Sequence, residues 1–173
     1  MDKWIIVIGI ILILAGCRPA VSEENHLRLL FFTDEAMEQE EEIEQFLAEQ
    51  VKLNKTIEVF IYPPSREKFS VLLAERAGDV YVAEPDLVEG LLTQNGLTPL
   101  DEVMPVSAYP FVQEHYTTNN KTGERHLYGL PLQTDYSAFD YFDLAMPEEM
   151  TLIVPSFSQN QEESLRALQA FID

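Results

Sequence analysis

Residues 56–83, TIEVFIYPPSREKFSVLLAERAGDVYVA, decide the fold class of this chain. The run from 56 to 62 is rich in β-branched and aromatic residues and stops at two prolines, which predicts a strand. Residues 65–77 predict a helix that Ser65 caps and Gly78 ends, and residues 79–83 predict a second strand. The apolar residues at helical spacing are Phe69, Leu72 and Leu73. The stretch therefore predicts a strand–helix–strand unit.

The same alternation continues on both sides of this unit. Leu27 to Thr33 is a compact apolar run typical of a buried strand, and Asp34 is expected to open an amphipathic helix over residues 35–53. Pro85 begins another amphipathic segment, which ends near Leu92. Three strands that are each followed by a helix require right-handed crossovers. We therefore predict an α/β fold, a mostly parallel three-layer sheet with helices on both faces.

Four glutamates, Glu38, Glu40, Glu41 and Glu42, crowd one face of the helix predicted over residues 35–53. One interpretation is a cation site, but carboxylates in one helical turn lack the oxygen-rich loop and the glycine turn of a calcium site. A solvated helix face is therefore favoured.

Beyond Leu92 the pattern changes. Residues 95–101, NGLTPLD, predict a turn, and the proline-interrupted stretch from 104 to 113 predicts a long loop or a broken helix. Residues 125–132 predict a further strand, in which Pro131 favours an edge or terminating position because proline has no backbone donor.

The tetrapeptide Leu14-Ala15-Gly16-Cys17 follows an apolar run that is too short to span a bilayer. It resembles a bacterial lipobox. The resemblance implies cleavage before Cys17, diacylation of its thiol and a location at the cell membrane, lipid-anchored on the extracytoplasmic face. An uncleaved membrane anchor is the alternative. We thus predict a signal peptide over residues 1–16, a polar tether over 17–25 and one lobe over 26–173.

The composition restricts the possible partners. The chain of 173 residues has 11 Lys and Arg against 30 Asp and Glu, a net charge of −19. This acidity argues against nucleic acid, whose phosphates need cationic side chains, and against docking on anionic lipid through a basic patch. Cys17 is the single cysteine, so no disulfide can form within the chain.

Several short motifs occur in the order found in one protein family. The chain resembles the N-terminal lobe of the extracytoplasmic solute-binding proteins of bacterial ABC importers. The motifs that carry the resemblance are residues 78–82 (GDVYV), 95–101 (NGLTPLD), 126–131 (HLYGLP), 136–142 (a hinge strand), 151–157 (a return strand), and Ser158-Gln159-Asn160 followed by a helix over 162–172. In such proteins a second lobe follows the hinge strand, whereas here residues 143–150 turn back. The resemblance therefore implies one lobe with the second absent.

Ligands in open α/β sheets bind beyond the carboxyl ends of the strands, near helix N-termini. We predict a ligand or partner face there that comprises Thr33, Asp34, Ser65, Glu84, Asp86, Gln133, Thr134, Tyr136 and Tyr141. Its acidic members would oppose an anionic solute. The aromatic residues between 136 and 142 fit either a stacking platform for a sugar or organic cation, or a hinge strand with one face in the core.

Nothing in the chain predicts catalysis. His26, His115 and His126 are scattered, without the spacing of a zinc site, so surface histidines are favoured over metal ligands. Nucleophile-elbow and phosphate-loop motifs are absent from the sequence. We expect a non-enzymatic protein with no cofactor and no bound metal.

The leading functional hypothesis is a membrane-anchored lipoprotein that binds a small solute or presents it to an ABC permease. The alternative is a protein-interaction lipoprotein that uses the exposed half-cleft to bind an envelope partner or to dimerise. A third possibility is a decayed remnant, against which the intact lipobox, return strand and final helix argue.

Overall fold

The computed structural model describes residues 25–34, 39–92, 96–105, 118, 121–132 and 150–172. Five strands and four helices lie in these ranges. In chain order they are β1 (His26–Phe32), α1 (Glu40–Val51), β2 (Thr56–Tyr62), α2 (Arg66–Ala74), β3 (Val80–Ala83), α3 (Pro85–Leu92), β4 (Leu130–Pro131), β5 (Thr151–Ile153) and α4 (Gln161–Ile172). The predicted alternation of strands and helices from β1 to α3 is confirmed.

The five strands form one mixed sheet in the order β2-β1-β3-β5-β4. β1 pairs in parallel with β2 and with β3, but β5 runs antiparallel to both β3 and β4. The prediction of an α/β fold is confirmed, whereas "mostly parallel" is confirmed only in part, because both pairings of β5 are antiparallel. The reason is that the chain returns to the sheet at the end where β4 stops: the Leu132 N–H donates to the Met150 carbonyl at 2.8 Å, so β5 runs back alongside β4.

The sheet has an apolar core on each face. On one face, strand residues pack with Ile43, Phe46 and Leu47 of α1 and with Ala167, Leu168 and Phe171 of α4. On the other face, Phe32 and Tyr81 pack with Phe69 and Leu72 of α2 and with Val88 and Leu92 of α3. Helices thus cover both faces, as predicted.

α1 begins at Glu40, with Gln39 at its N-cap position, rather than at Asp34. Its glutamates are not all solvated as predicted. The Glu40 and Glu44 carboxylates each accept a backbone N–H of β2, from Ile61 and Val59 respectively, both at 2.8 Å. Because β2 is an edge strand, these N–H groups have no neighbouring strand, and the two carboxylates supply the missing acceptors.

α2 ends at Ala74, earlier than predicted, and Gly78 does not end it. Arg76 adopts the left-handed conformation (φ 55°), and the Ala77 N–H donates to the Leu72 carbonyl at 2.9 Å. Gly78 has another role, because a Cβ at this position would lie 2.2 Å from Cδ1 of Leu30. The absence of a side chain therefore lets the α2–β3 connection approach β1.

An edge strand and a return strand follow α3 as expected, but both are shorter than predicted: β4 has two residues rather than the range 125–132, and β5 has three rather than the range 151–157. β4 lies at an edge of the sheet and contains Pro131, as predicted for a proline without a backbone donor. β5 is the return strand, and it begins at Thr151. The predicted hinge strand over 136–142 and most of the predicted loop over 104–113 lie outside the described residues, so they stay predictions.

Candidate functional site at the carboxyl edge of the sheet

The carboxyl edge is the edge of the sheet at which the parallel strands β1, β2 and β3 end. There the Thr33 N–H donates to the Tyr62 carbonyl at 2.9 Å, which extends the β1–β2 ladder by one residue. Thr33 is only 2% exposed, so its side chain belongs to the core layer of this edge. Asp34, the next residue, is exposed and can meet a ligand.

Ser65 lies at this edge as the N-cap of α2. Its hydroxyl accepts the Lys68 N–H at 3.3 Å and donates to the Glu67 carboxylate at 3.2 Å. The predicted capping role is therefore confirmed, and the hydroxyl is already engaged within the helix. The Lys68 ammonium lies 4.9 Å from the centre of the Tyr62 ring, a cation–π contact.

Glu84 and Asp86 flank Pro85 at the start of α3, and both are exposed. The guanidinium of Arg66 donates to the Asp86 carbonyl at 3.1 Å, which joins the N-terminal ends of α2 and α3. Carboxylates in the first turn of a helix interact favourably with its dipole and would compete there with an anionic ligand. The edge thus favours an uncharged or cationic ligand.

The chain also leaves and re-enters the sheet at this edge. The Leu132 N–H donates to the Met150 carbonyl at 2.8 Å, so the two residues that flank the segment 133–149 lie side by side. Gln133, Thr134, Tyr136 and Tyr141 belong to this segment and lie outside the described residues. The structure therefore brings Asp34, Ser65, Glu84 and Asp86 to one edge, whereas the role of the segment stays a prediction.

The opposite edge, where the parallel strands begin, is here called the amino edge. It contains a cavity of about 350 Å³ that the sequence did not predict. Its wall includes His26, Arg28, Lys55, Arg76, Asp79 and Phe157, together with Ser158 and Asn160. Polar side chains from three strand starts and from the β5–α4 connection thus converge here.

Asp79 and Asn160 lie at the centre of the amino edge. The Asp79 carboxylate accepts from the Ser158 hydroxyl at 2.7 Å and from the Arg28 N–H at 3.0 Å. Lys55 contacts both the Asn160 amide oxygen and, at 3.1 Å, the Glu163 carboxylate. Since these bonds connect the starts of β1, β3 and α4 with the residue before β2, the motif Ser158-Gln159-Asn160 serves the fold.

Charges at the amino edge are largely paired. The Glu58 carboxylate accepts from Nε of Arg28 at 3.0 Å, and its other oxygen lies 3.0 Å from Nδ1 of His26. Burial raises the pKa of Glu163, but hydrogen bonds from its own backbone N–H and from Lys55 outweigh burial and leave that pKa below its usual value. Lys55 and Asp79 each lie one residue before a strand, β2 and β3 respectively, which is a sequence signal for this network, but spacing alone does not show that both contact Asn160.

In the described ranges, no group of three or more His, Cys, Asp or Glu side chains could hold a metal ion. None of the helices in this part of the chain has the length and hydropathy needed to span a bilayer. Cys17, the predicted signal peptide and all of the predicted tether except residue 25 lie outside the described residues, so these calls stay predictions.

Comparison with known proteins gives two similarities. The chain is 24% identical over 162 residues to a Bacillus subtilis (strain 168) protein described as "Putative lipoprotein YteS", and the match covers 94% of this chain and 90% of that protein. It thus resembles a protein described as a lipoprotein over nearly the full length of both. No protein-family model matches the chain.

The second similarity is to a solved structure. The N-glycan transport solute binding protein NgtS of Streptococcus pneumoniae, crystallised in complex with Man5GlcNAc, is similar to 64% of this chain with a TM-score of 0.40 and 16% identity. The matched part spans 25% of that chain.

Proposed function

We propose that this protein is an extracytoplasmic lipoprotein, anchored through Cys17, that captures a small polar solute at its carboxyl edge without catalysis. The observation that carries the proposal is the hydrogen bond from the Leu132 N–H to the Met150 carbonyl. This bond lies at the edge where β1, β2 and β3 end, and its two residues flank the segment 133–149, to which four of the predicted site residues belong. Ligands of open α/β sheets bind at this edge. The similarity to a protein described as a lipoprotein supports the anchor.

The charges of this edge suggest the class of solute. Its described ionisable side chains are Asp34, Glu67, Glu84 and Asp86 against Arg66 and Lys68. An anionic solute would be repelled by this excess of carboxylates, whereas a polyhydroxyl compound or an organic cation could be bound by them. We therefore propose a neutral polyol, a saccharide or a cation such as a polyamine.

The test is thermal unfolding of the chain from Arg18 onward, alone and with millimolar saccharides, polyamines, amino acids or oligopeptides. A ligand at about 100 times its Kd stabilises the folded state by about 2.7 kcal/mol, which shifts the Tm by a few degrees. Glu84→Gln combined with Asp86→Asn should remove the shift that a cation produces and weaken the shift produced by a saccharide. The control is Glu75→Gln, which removes one exposed carboxylate outside this edge and should leave both shifts unchanged.

A second candidate is a protein-interaction role for the same edge. Two observations favour this role: the Thr33 side chain is buried, and the Ser65 hydroxyl is engaged in hydrogen bonds within α2. Fewer polar groups than predicted are therefore open to a small solute. A cooperative melt that no compound in the panel shifts would contradict solute capture and favour an envelope partner.

A further inference from the structure

We infer that the amino edge of the sheet is the surface that faces the membrane, and that the carboxyl edge points away from it. The inference rests on the proposed lipid anchor at Cys17 and assigns an orientation to the proposed binding site. Three observations carry it: the direction of β1, the length of the tether and the side chains of the amino edge.

The tether enters the fold at the amino edge, because β1 begins at His26. Residues 17–25 separate the anchor from this strand. Fully extended, they reach about 30 Å, at about 3.3–3.6 Å per residue. A Gly-rich coil of the same number of residues has a root-mean-square length of about 15–18 Å. The amino edge is therefore held close to the lipid surface.

The carboxyl edge lies a full strand length farther from the anchor. The β1 ladder stays paired through Thr33, whose N–H donates to the Tyr62 carbonyl. From His26 to Thr33 an extended strand rises about 23 Å. If the carboxyl edge lay on the membrane, the tether would have to run back along this whole distance and past the loop of residues 63–65. That path exceeds its average length and uses nearly all of its full extension.

The side chains of the amino edge suit contact with lipid headgroups. Arg76 is exposed, and its guanidinium lies 5.6 Å from the centre of the Phe157 ring. Arg28 and Lys55 each form an ion pair with a glutamate. Among the described residues, no carboxylate lies close enough to Arg76, within 4.0 Å, to form such a pair. Such a guanidinium can bind a lipid phosphate, while the half-buried Phe157 ring beside it stays packed against the apolar core.

Carboxylates are also present at this edge. Those that are paired within the fold repel an approaching lipid phosphate less than an unpaired carboxylate does. Glu58 and Glu163 are paired with Arg28 and Lys55. Both oxygens of Asp79 accept hydrogen bonds from within the fold. Glu75 is exposed beside Arg76 and is the carboxylate that would weaken phosphate binding. We therefore expect the tether to set the orientation and Arg76 to favour it.

This orientation has a consequence for the proposed function. The candidate binding edge opens away from the membrane, toward solutes or partners that arrive from outside. Delivery to a permease in the same membrane would require the lobe to invert, which a tether of this length strongly disfavours.

The experiment uses the acylated protein in vesicles of phosphatidylglycerol and phosphatidylethanolamine that contain a headgroup-nitroxide lipid as a quencher. Because Cys17 is the single cysteine and its thiol is acylated, an introduced cysteine gives one labelling site. Fluorophores are placed by Gln159→Cys at the amino edge and by Glu84→Cys at the carboxyl edge, both exposed positions. We expect strong quenching of the first and little of the second.

Two further variants make the result decisive. A flexible insertion of about 20 Gly and Ser residues after Ser22 should reduce the difference between the two positions, because the lobe can then rotate freely. Arg76→Gln should lower quenching at residue 159, whereas Arg66→Gln at the other edge should not. Equal quenching of both positions, or stronger quenching at residue 84, would overturn the orientation. If neither labelled protein stays with the vesicles, the lipoprotein proposal itself fails.

Discussion

The side-chain amide of Asn160 donates a hydrogen bond to the Asp79 carboxylate at 3.0 Å, although the two residues are 81 positions apart in sequence. The same amide nitrogen donates to the His26 carbonyl at 2.9 Å, and the amide oxygen accepts from Lys55. One buried side chain therefore holds the starts of β1 and β3, the residue before β2 and the start of α4 together.

Asn160→Ala should lower the free energy of unfolding by about 2 kcal/mol, because it leaves buried polar partners without a hydrogen bond. Urea unfolding measures the change. Gln159→Ala, one residue earlier and exposed, is the matched control and should change stability by less than about 0.5 kcal/mol. Equal effects of the two variants would show that the Asn160 network adds no stability.

Gly78→Ala should destabilise the protein by about 1–3 kcal/mol, because the new methyl group would overlap Cδ1 of Leu30. The control is Gly90→Ala in α3, where nothing lies within 4 Å of the added Cβ. Since glycine is unfavourable inside a helix, this change should raise stability by about 0.5–1 kcal/mol. Thermal melts of both variants test the pair, and a stable Gly78→Ala protein would contradict the close approach.

Glu44→Ala should expose the edge of the sheet, since its carboxylate accepts the Val59 N–H. We expect faster hydrogen exchange at Val59, with little change at Ile61, which Glu40 still covers. Self-association should also increase, because unpaired edge strands promote pairing between chains. Glu42→Ala removes an exposed carboxylate from the same helix and is the control. Unchanged exchange at Val59 would contradict this protective role.

Stability should fall as the pH rises from about 10 to 12, chiefly because of Tyr81. Burial raises the pKa of its hydroxyl from 10.0 to about 12. Because the folded-state pKa is the higher one, the stabilisation is complete below pH 10 and is lost as the pH rises toward 12. Burial, with a contribution from Glu40, also raises the pKa of Tyr62.

Tyr81→Phe tests the alkaline loss of stability. It removes the hydroxyl that accepts from the Gly78 N–H and donates to the Leu72 carbonyl. The variant should be about 1 kcal/mol less stable at pH 7, yet lose less stability between pH 10 and 12 than the wild type. Urea unfolding of both proteins at pH 7, 10 and 12 measures these differences in the free energy of unfolding. Parallel curves for the two proteins would assign the alkaline loss to other groups.

Local patterns predicted most of the first half of the fold. The bounds of β2 and α3 agree with the sequence prediction, and Ser65 caps α2 as expected. Those features depend on neighbouring residues: β-branched content, proline at a helix start and a hydroxyl before the first turn. The start of α1 was placed too early, at Asp34, because helix onset there depends on contacts between α1 and β2 that neighbouring residues do not encode.

The candidate site was predicted only as a set of positions. From the order of strands and helices, the sequence predicts that Asp34, Ser65, Glu84 and Asp86 lie at one edge of the sheet. It does not predict which contacts their side chains make. The structure adds that Thr33 is buried and that the Ser65 hydroxyl is engaged, which leaves the carboxylates as the open groups. Gln133, Thr134, Tyr136 and Tyr141 stay predictions.

By itself, the sequence determined the α/β class, the order of elements through α3 and the acidic character of the carboxyl edge, because periodicity, capping and charge are properties of neighbouring residues. Only the tertiary structure decided the mixed strand directions, the glutamate cover of β2 and the network around Asp79 and Asn160. These features depend on contacts between segments that are distant in sequence, and such contacts follow from the packing of the whole chain around the sheet.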